Sequence, residues 1–260
     1  MGRRIGTGLW VMVIGCLLLS GCATQQQETF QHSYSTENGD HLAFLDVYDP
    51  LEPLNRRIYK FNTVVDNNIL EPVVRGYKKV VPSFIRTGLS NFFSNIGEIP
   101  VMLNCLLQTK SEKSGEVLAR FMVNTTAGIF GFWDPATNMG LIKYNEDFGQ
   151  TLAVYGVPAG PYIVLPILGP STLRDTTGKV MDNLTKTAFV ELAAISSSAD
   201  LTLSVVDGLT LRASLPFSYG DFDSPFEYDL VRALYIDTRN LLINDGAFVE
   251  THFKAREAVK

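Results

Sequence analysis

Histidine and cysteine are scarce in this sequence, and their positions argue against most catalytic and metal sites. The 260 residues include three histidines, and none of them lies between Leu42 and Thr251. A Ser-His-Asp triad or a histidine-rich metal site is therefore not expected inside the body of the protein. The sequence also lacks a Gly-x-Ser-x-Gly elbow, a P-loop and a cysteine pair for zinc.

The most conspicuous acidic pair, Glu146 and Asp147, gives weak support for an enzyme. Adjacent residues rarely face one substrate together, although a carboxylate-based hydrolase such as a cell-wall glycosidase stays open as an alternative. Asp147 stands directly before Phe148 and is better interpreted as the cap of a helix. We predict that the protein is not an enzyme.

The N-terminus has the pattern of a lipoprotein signal peptide. Arg3 and Arg4 form a positive region, and the run from Ile5 to Leu18 is apolar and uncharged. The following Leu19-Ser20-Gly21-Cys22 combines an aliphatic residue, two small residues and the cysteine of a lipobox. A spanning helix needs roughly 20 apolar residues, so this shorter run is not expected to remain as a membrane anchor.

Processing at this site determines the mature chain. We predict that residues 1–21 are removed and that Cys22 carries acyl chains, of which two or more anchor a protein stably. Ala23 replaces the aspartate that retains lipoproteins in the inner membrane, so the outer membrane is the expected destination. Cys105 is then the only free thiol, and no intramolecular disulfide can form. The formal net charge changes from −5 to −7, which disfavours nucleic acid as a partner.

The mature chain is predicted to contain one mainly helical domain, residues 49–246, between a flexible lipidated tether, residues 22–48, and a C-terminal tail, residues 247–260. Asp49-Pro50-Leu51-Glu52 predicts the start of an amphipathic helix that ends at Pro72. Sustained period-two alternation is hard to find, so the fold class is mainly α. Further helices are predicted after Pro82, from Pro100 to Leu107, from Ser114 to Thr125, and from the capping box Ser224-Pro225-Phe226-Glu227 to Asn244.

Two uncharged stretches are unusual for a water-soluble helical domain. Residues 121–133 mix glycine with large aromatic side chains, and residues 148–173 contain four prolines that prevent a regular helix. Irregular backbone cannot face hydrocarbon, so the second stretch must pack against protein or line a cavity. Both stretches could be buried core loops. Alternatively, the glycine-aromatic loop could dip into a lipid interface, where Phe and Trp are favourable.

Polar and charged residues add two further alternatives. Four asparagines interrupt apolar surroundings and could satisfy backbone groups or line an amphipathic passage: Asn91, Asn95, Asn104 and Asn124. The segment from Pro53 to Ser90 has a net charge of +5. A solvated helix face is the favoured explanation of these cations, and contact with membrane phosphates is the other.

Ordered motifs between Asp49 and Asp182 resemble those of the MlaA/VacJ outer-membrane lipoproteins. The motifs are Asp49-Pro50-Leu51-Glu52-Pro53-Leu54-Asn55-Arg56, Tyr59-Lys60-Phe61-Asn62, Leu89-Ser90-Asn91-Phe92-Phe93-Ser94-Asn95, Gly131-Phe132-Trp133-Asp134-Pro135-Ala136, Asn145-Glu146-Asp147-Phe148-Gly149-Gln150-Thr151-Leu152 and Gly169-Pro170-Ser171-Thr172-Leu173-Arg174-Asp175. Tyr228, Arg232 and Tyr235 resemble residues of the last helix of that family. The basic residues expected after this helix are sparse in the present sequence.

The resemblance implies a single ring-shaped helical domain embedded in the inner leaflet of the outer membrane, with an amphipathic central channel. Misplaced phospholipids would leave the outer leaflet through this channel and pass to a soluble periplasmic carrier, which maintains lipid asymmetry. The implied partners are phospholipid, the outer-membrane bilayer, trimeric porins and the carrier. No cofactor or metal is implied.

The resemblance also implies which residues form the site. A hairpin loop beside the channel would contain Asn124, Thr125, Gly128, Phe130, Gly131, Phe132, Trp133, Asp134 and Pro135. A supporting helix would contain Asn55, Arg56, Phe61 and Asn62.

A structural lipoprotein that scaffolds porins or cell-envelope proteins without moving lipid is the alternative function. The two hypotheses differ at the loop from Asn124 to Trp133, which a scaffold could lose with little effect on lipid distribution.

Overall fold

The computed structural model describes residues 47–192, 200–214, 224 and 226–245. Cys22, the predicted signal peptide, nearly all of the tether and the C-terminal tail lie outside these residues. The described chain is mainly helical, as predicted. Its elements are α1 (Glu52–Val65), α2 (Glu71–Val80), α3 (Ser83–Leu107), α4 (Ser111–Thr126), α5 (Pro135–Asn138), α6 (Phe148–Val154), β1 (Tyr162–Leu165), β2 (Gly169–Thr172), α7 (Leu173–Leu192), α8 (Asp200–Ser214) and α9 (Glu227–Ile243).

The first helix continues past Pro72 instead of ending there. One turn of π-helix, Asp66–Leu70, joins α1 to α2, and the Glu71 amide donates to the Asp66 carbonyl. This wider turn places Pro72 in the first turn of α2, a position where a missing N–H costs little. The prediction that Pro72 ends the helix was therefore wrong.

The chain also runs through Pro100 without restarting. Pro100 is buried inside α3, which continues to Leu107. A proline removes one helical hydrogen bond, but α3 packs against α4 and α7, and these contacts support the helix across the proline. The connection to α4 is short and has Thr109 at a φ of +60°. The predicted separate helix from Pro100 was wrong, because a sequence rule for proline does not include tertiary support.

The uncharged stretch of residues 148–173 contains a β hairpin that the sequence did not reveal. The hairpin is antiparallel, with Tyr162 opposite Thr172 and Leu165 opposite Gly169. Each strand has four residues, too few for a recognisable alternation. Tyr162 and Val164 are buried, which confirms that this irregular stretch packs against protein.

Two asparagines of α1 complete the hydrogen bonding of the hairpin edge. Asn55 Nδ2 donates to the Tyr162 carbonyl at 3.0 Å, and the Val164 amide donates to Asn55 Oδ1 at 2.9 Å. Asn62 forms the same pair with the Leu165 carbonyl at 2.9 Å and the Ile167 amide at 2.8 Å. Seven helical residues and three strand residues both span roughly 10 Å, so the two amides match the strand like a neighbouring peptide chain.

Asp49 fastens the start of α1 to α9. The helix begins at Glu52, and the Asp49 carboxylate accepts a hydrogen bond from the amide of Leu51, the residue before the first turn, at 3.2 Å. The same carboxylate oxygen accepts a hydrogen bond from Asn55 Nδ2 at 2.8 Å. The other oxygen accepts from the Tyr228 hydroxyl and, at 3.3 Å, from Arg232. The carboxylate therefore joins two helices that are distant in sequence.

A small tyrosine cluster lies where α1, β1 and α9 meet. The rings of Tyr59 and Tyr162 pack around Tyr228 in edge-to-face contacts, with centroids 5.7 and 6.4 Å away. The Tyr59 hydroxyl donates to the Glu227 carboxylate at 2.6 Å. The helix α9 begins at Glu227, two residues after the predicted start at Pro225. Burial of these rings is the main apolar contribution to this junction.

The predicted cap at Asp147 is confirmed, and the same residue takes part in a charged junction. Its carboxylate accepts from the Gln150 amide at 2.9 Å and from Arg239 of α9 at 3.0 Å. Arg239 also donates to Asp175 at 2.9 Å, and Tyr235 donates to the same carboxylate at 2.8 Å. Burial opposes ionisation of Asp175, but the charge of Arg239 and the hydrogen bond from Tyr235 hold its pKa below the usual range.

Replacing Asn55 should destabilise the hairpin. In Asn55→Ala the buried Tyr162 carbonyl and Val164 amide lose their partners, and we expect a loss of about 2–4 kcal/mol in the free energy of unfolding. Thermal unfolding in detergent and hydrogen exchange at residues 162–167 measure this. Asn68→Ala is the matched control, because Asn68 is exposed and donates only to the Val64 carbonyl within its own helix. Equal effects of both substitutions would contradict the role of Asn55.

Candidate functional site

The predicted hairpin loop is a compact turn after α4, which we call the aromatic loop (residues 127–133). Its backbone folds onto the end of the helix: the Gly131 amide donates to the Asn124 carbonyl at 2.8 Å, and the Phe130 amide to the Thr125 carbonyl at 2.9 Å. Ile129, Phe130 and Gly131 have φ values of +53°, +55° and +89°. Left-handed backbone is unfavourable for a β-branched or bulky residue, so this turn stores strain that the surrounding hydrogen bonds maintain.

The aromatic loop exposes apolar side chains at its tip. Ile129, Phe130 and Trp133 are 55%, 71% and 57% exposed. Phe132 points the other way, where its ring lies so close to Gly88 of α3 that a Cβ there would be 2.1 Å from it. The loop is thus anchored by one aromatic ring and presents two others.

A polar network beneath the aromatic loop holds it in place. Asn124 Nδ2 donates to Asp134 at 3.0 Å, and the Ala136 amide donates back to Asn124 Oδ1 at 3.0 Å. Asp134 also caps the short helix α5, which has Pro135 at its start. Burial raises the pKa of Asp134, but hydrogen bonds from Thr137 and Asn124 outweigh burial and leave it below the usual range. Asn124, Asp134 and Pro135 therefore have structural roles in the described geometry.

Arg120 is the centre of this network. The side chain is almost fully buried and donates to Glu98 at 3.2 Å, to Asp134 at 3.1 Å and to the Leu141 carbonyl at 2.7 Å. Burial raises the pKa of Glu98 although the guanidinium opposes this. A buried arginine with this many acceptors fixes α3, α4 and the segment after the loop relative to one another.

The four asparagines that interrupt apolar surroundings all donate to protein groups. Their acceptors are the Phe132 carbonyl for Asn91, Thr125 Oγ1 for Asn95, Asp182 for Asn104 and Asp134 for Asn124. This geometry favours the structural interpretation over the lining of a passage. Three of the four lie on α3, so these amides also attach that helix to its neighbours.

The predicted supporting helix is α1. The hydrogen bonds of its named residues go to groups outside the aromatic loop. Asn55 and Asn62 bind the β hairpin. Arg56 donates to Glu52 at 2.7 Å and to Asp229 at 2.8 Å, and its guanidinium lies 4.3 Å from the centre of the Tyr228 ring. Phe61 is about half exposed. The segment that α1 supports directly is therefore the β hairpin of β1 and β2, and not the aromatic loop.

A cleft between α3, α7 and α8 is the site that sequence reasoning missed. It is partly open to solvent, and apolar and polar side chains line it together. The lining residues are Phe93, Ile96, Asn183, Lys186, Thr187, Val190, Ser204 and Asp207. The signal in the sequence was the spacing of the α7 residues at intervals of three and four, which places them on one helix face.

The distribution of polar and apolar side chains is inverted relative to a water-soluble domain. Among the described residues, 18 polar or charged side chains are buried against 10 apolar ones, while 31 large apolar side chains are exposed. Soluble proteins seldom bury more polar and charged side chains than apolar ones. The described helices include none with the length and apolar character needed to cross a membrane.

The described residues offer little to an enzyme mechanism. Cys105 is fully buried in α3, and burial together with the charge of Glu146 raises its pKa to about 11, so it remains a thiol. No cluster of three or more potential metal ligands occurs within the part of the chain that the structure describes.

Comparison with known proteins identifies the family. Residues 47–242 match the family model of the MlaA lipoprotein. The chain belongs to the MlaA lipoprotein family. This match begins two residues before the predicted domain and contains the aromatic loop, the hairpin and the cleft.

Other family members and a solved structure agree. An uncharacterized protein of Rickettsia typhi is 34% identical over 233 residues, which cover 88% of this chain and 92% of that protein. The intermembrane phospholipid transport system lipoprotein MlaA of Escherichia coli is 33% identical over 243 residues, covering 92% of this chain and 89% of its own. A structure from work on the structural basis for maintenance of bacterial outer membrane lipid asymmetry is 34% identical, with a TM-score of 0.65, and covers 76% of this chain and 100% of its own.

Gly131 should be intolerant of a side chain. In Gly131→Ala the new Cβ would lie 2.5 Å from Asn95, and the alanine would have to adopt a left-handed backbone conformation. We expect a loss of about 2–4 kcal/mol in stability, from the backbone penalty and the steric overlap together. Thermal unfolding followed by fluorescence of Trp133 measures this.

Gly140→Ala is the matched control for this substitution. Gly140 has a similar φ of +82°, but no atom lies within 4 Å of the added Cβ. This variant should lose only ~1–2 kcal/mol. A loss at Gly140 as large as that at Gly131 would show that backbone conformation alone, and not contact with Asn95, explains the requirement for glycine.

Proposed function

We propose that this chain is the outer-membrane lipoprotein of an intermembrane phospholipid transport system. Anchored by acyl chains on Cys22, it removes misplaced phospholipids from the outer leaflet and passes them to a soluble periplasmic carrier. Membership of the MlaA family supports this function, because relatives carry the name of that transport system. The protein offers a path for lipid, catalyses no reaction and uses no cofactor.

The observation that carries the proposal is the inverted distribution of side chains. A domain with a polar interior and an apolar exterior is stable only where something other than water covers the exterior. Lipid acyl chains provide such a cover without a spanning helix, when the domain lies within one leaflet. Many of the buried polar groups pair with other protein groups, as the side-chain amides of Asn55 and Asn62 pair with the β hairpin.

The cleft between α3, α7 and α8 provides a path of suitable chemistry. Phe93, Ile96 and Val190 can contact acyl chains, while the polar residues of α7 and α8 can contact a headgroup. This amphipathic cleft is our candidate for part of the channel.

The aromatic loop is placed to contact the lipid interface beside this path. Phe130 and Trp133 are exposed at its tip, and aromatic rings are favourable at the level of lipid headgroups. Exposed cations of α1 and α2, such as Lys60 and Lys79, can contact membrane phosphates. The proposal also includes trimeric porins as partners that hold the protein in the membrane.

Blocking the cleft should prevent lipid removal in cells. Cells that lack the protein are complemented with wild type, Cys22→Ala or Thr187→Trp, and phospholipid exposed on intact cells is measured by chemical labelling. Wild type should clear the outer leaflet. Both variants should leave phospholipid at the level of the deletion strain, because one is not anchored and the other fills the cleft.

Thr177→Trp is the matched control, since Thr177 is also an exposed threonine of α7 but does not line the cleft. It should clear lipid like wild type, with both α7 variants present at equal, anchored levels. Clearance by Thr187→Trp would reject the cleft as the path. An unchanged surface in the deletion strain, together with faulty porin assembly, would support the scaffold function instead.

Trp133 provides a direct test of membrane contact. The only other tryptophan, Trp10, belongs to the predicted signal peptide, so the mature protein contains a single one. In vesicles with brominated acyl chains, we expect the fluorescence of Trp133 to fall by at least about half, because an interfacial ring lies within reach of the bromines. Aqueous acrylamide should quench it weakly. The reverse pattern would place the loop in water and contradict this orientation.

A further inference from the structure

The cleft contains one cation and one carboxylate on different helices. Lys186 lies on α7 and Asp207 lies on α8, and both are half-buried among its lining residues. The stem of Lys186 crosses Gly97 of α3, where an added Cβ would be 3.8 Å from its Cε and 4.0 Å from its Nζ. These are ordinary van der Waals distances, so the end of the Lys186 side chain lies beside Gly97.

Neither charge forms a hydrogen bond or a direct ion pair within the described part of the chain, although each lies within electrostatic range of the other. The ion pairs and hydrogen bonds among those residues include no partner for Lys186 or Asp207. Asp182, one turn before Lys186 on α7, is occupied by Asn104 at 2.8 Å and by the Phe148 amide at 3.0 Å. Burial raises the pKa of Asp207, and the charge of Lys186 opposes this effect. Two half-buried charges that form no direct ion pair can each contact a ligand that carries the opposite charges.

From this arrangement we infer that the cleft prefers phospholipids whose headgroup carries a phosphate and a primary ammonium group. Lys186 faces the phosphate, and Asp207 accepts hydrogen bonds from the ammonium. Acyl chains lie against Phe93 and Ile96. The inference rests on the proposed function and adds the class of lipid that the cleft selects.

The two charges discriminate between headgroups in different ways. A phospholipid with an anionic headgroup and no amine, such as phosphatidylglycerol, satisfies Lys186 but leaves Asp207 without a cation. A quaternary ammonium carries the charge but has no N–H to donate. Selectivity then comes from the difference in binding free energy between a lipid that donates an ammonium N–H to Asp207 and a lipid that does not.

Competition between two lipids tests the inference. The full-length mature lipoprotein, purified in dodecylmaltoside, is incubated with equal amounts of phosphatidylethanolamine and phosphatidylglycerol that have identical acyl chains. The lipid that remains bound after washing is counted by mass spectrometry. Wild type should retain the ethanolamine lipid about fivefold over the glycerol lipid, which corresponds to ~1 kcal/mol at 1.4 kcal/mol per factor of ten.

Variants separate the contributions of the two charges. Asp207→Asn should bring the ratio close to one without lowering retention of the glycerol lipid. Lys186→Gln should lower retention of both lipids, because both carry a phosphate. Asp237→Asn, the same change at an exposed position of α9, should keep the wild-type ratio.

The outcomes distinguish this inference from the proposed function. A wild-type ratio near one, or an unchanged ratio in Asp207→Asn, would overturn headgroup selection while leaving lipid transport intact. Retention of neither lipid by wild type would overturn both. Water-soluble glycerophosphoethanolamine has the same phosphodiester and ammonium groups without acyl chains, so at equal concentration it should not displace the lipid. Displacement would identify a soluble phosphate compound as the ligand and reject the lipid.

Discussion

The pairing of two α1 amides with the edge of β1 is the interaction on which this fold depends. An open strand edge and a proline-rich connection cannot face hydrocarbon, since each unpaired backbone group there costs several kcal/mol. Asn55 and Asn62 remove that cost by pairing with four backbone groups of the hairpin. Asn55 is held in turn by Asp49, which also binds Tyr228 and Arg232 of α9. One helix thus links the irregular segment to the last described helix.

The same constraint explains why the interior is polar. Arg120, Asp134 and Asn124 secure the aromatic loop, while Arg239 joins α9 to the capping carboxylate of α6. Networks of this kind specify geometry strongly but contribute modest net stability, because burial of charge costs much of what pairing returns. Apolar side chains left outside are then available to lipid. A domain built in this way needs the membrane as part of its environment, which accounts for an exposed loop tip made of Phe130 and Trp133.

Local features were predictable from the sequence, and features that depend on distant partners were not. Asp147 was recognised as a cap because the cap involves residues three positions apart. Pro72 and Pro100 were misinterpreted, since a π turn and tertiary packing decide whether a helix continues past a proline. The resemblance singled out Asn55 and Asn62, but their partner was invisible because strands of four residues carry no periodic signal. The cleft was missed because its lining residues come from α3 and, much later in the chain, from α7 and α8.

The openness of the cleft is itself consistent with transport. A carrier or channel must release its lipid, so binding has to be selective without being tight. Fully buried ion pairs would hold a headgroup firmly and exact a large desolvation cost, whereas partly exposed pairs contribute only ~0–1 kcal/mol. Lys186 and Asp207 are half-buried at an open cleft, so their contacts with a headgroup resemble those of partly exposed ion pairs. Strong polar contacts in this protein are reserved for holding the fold, at Arg120 and at the α1 asparagines, and weak ones remain where lipid would pass.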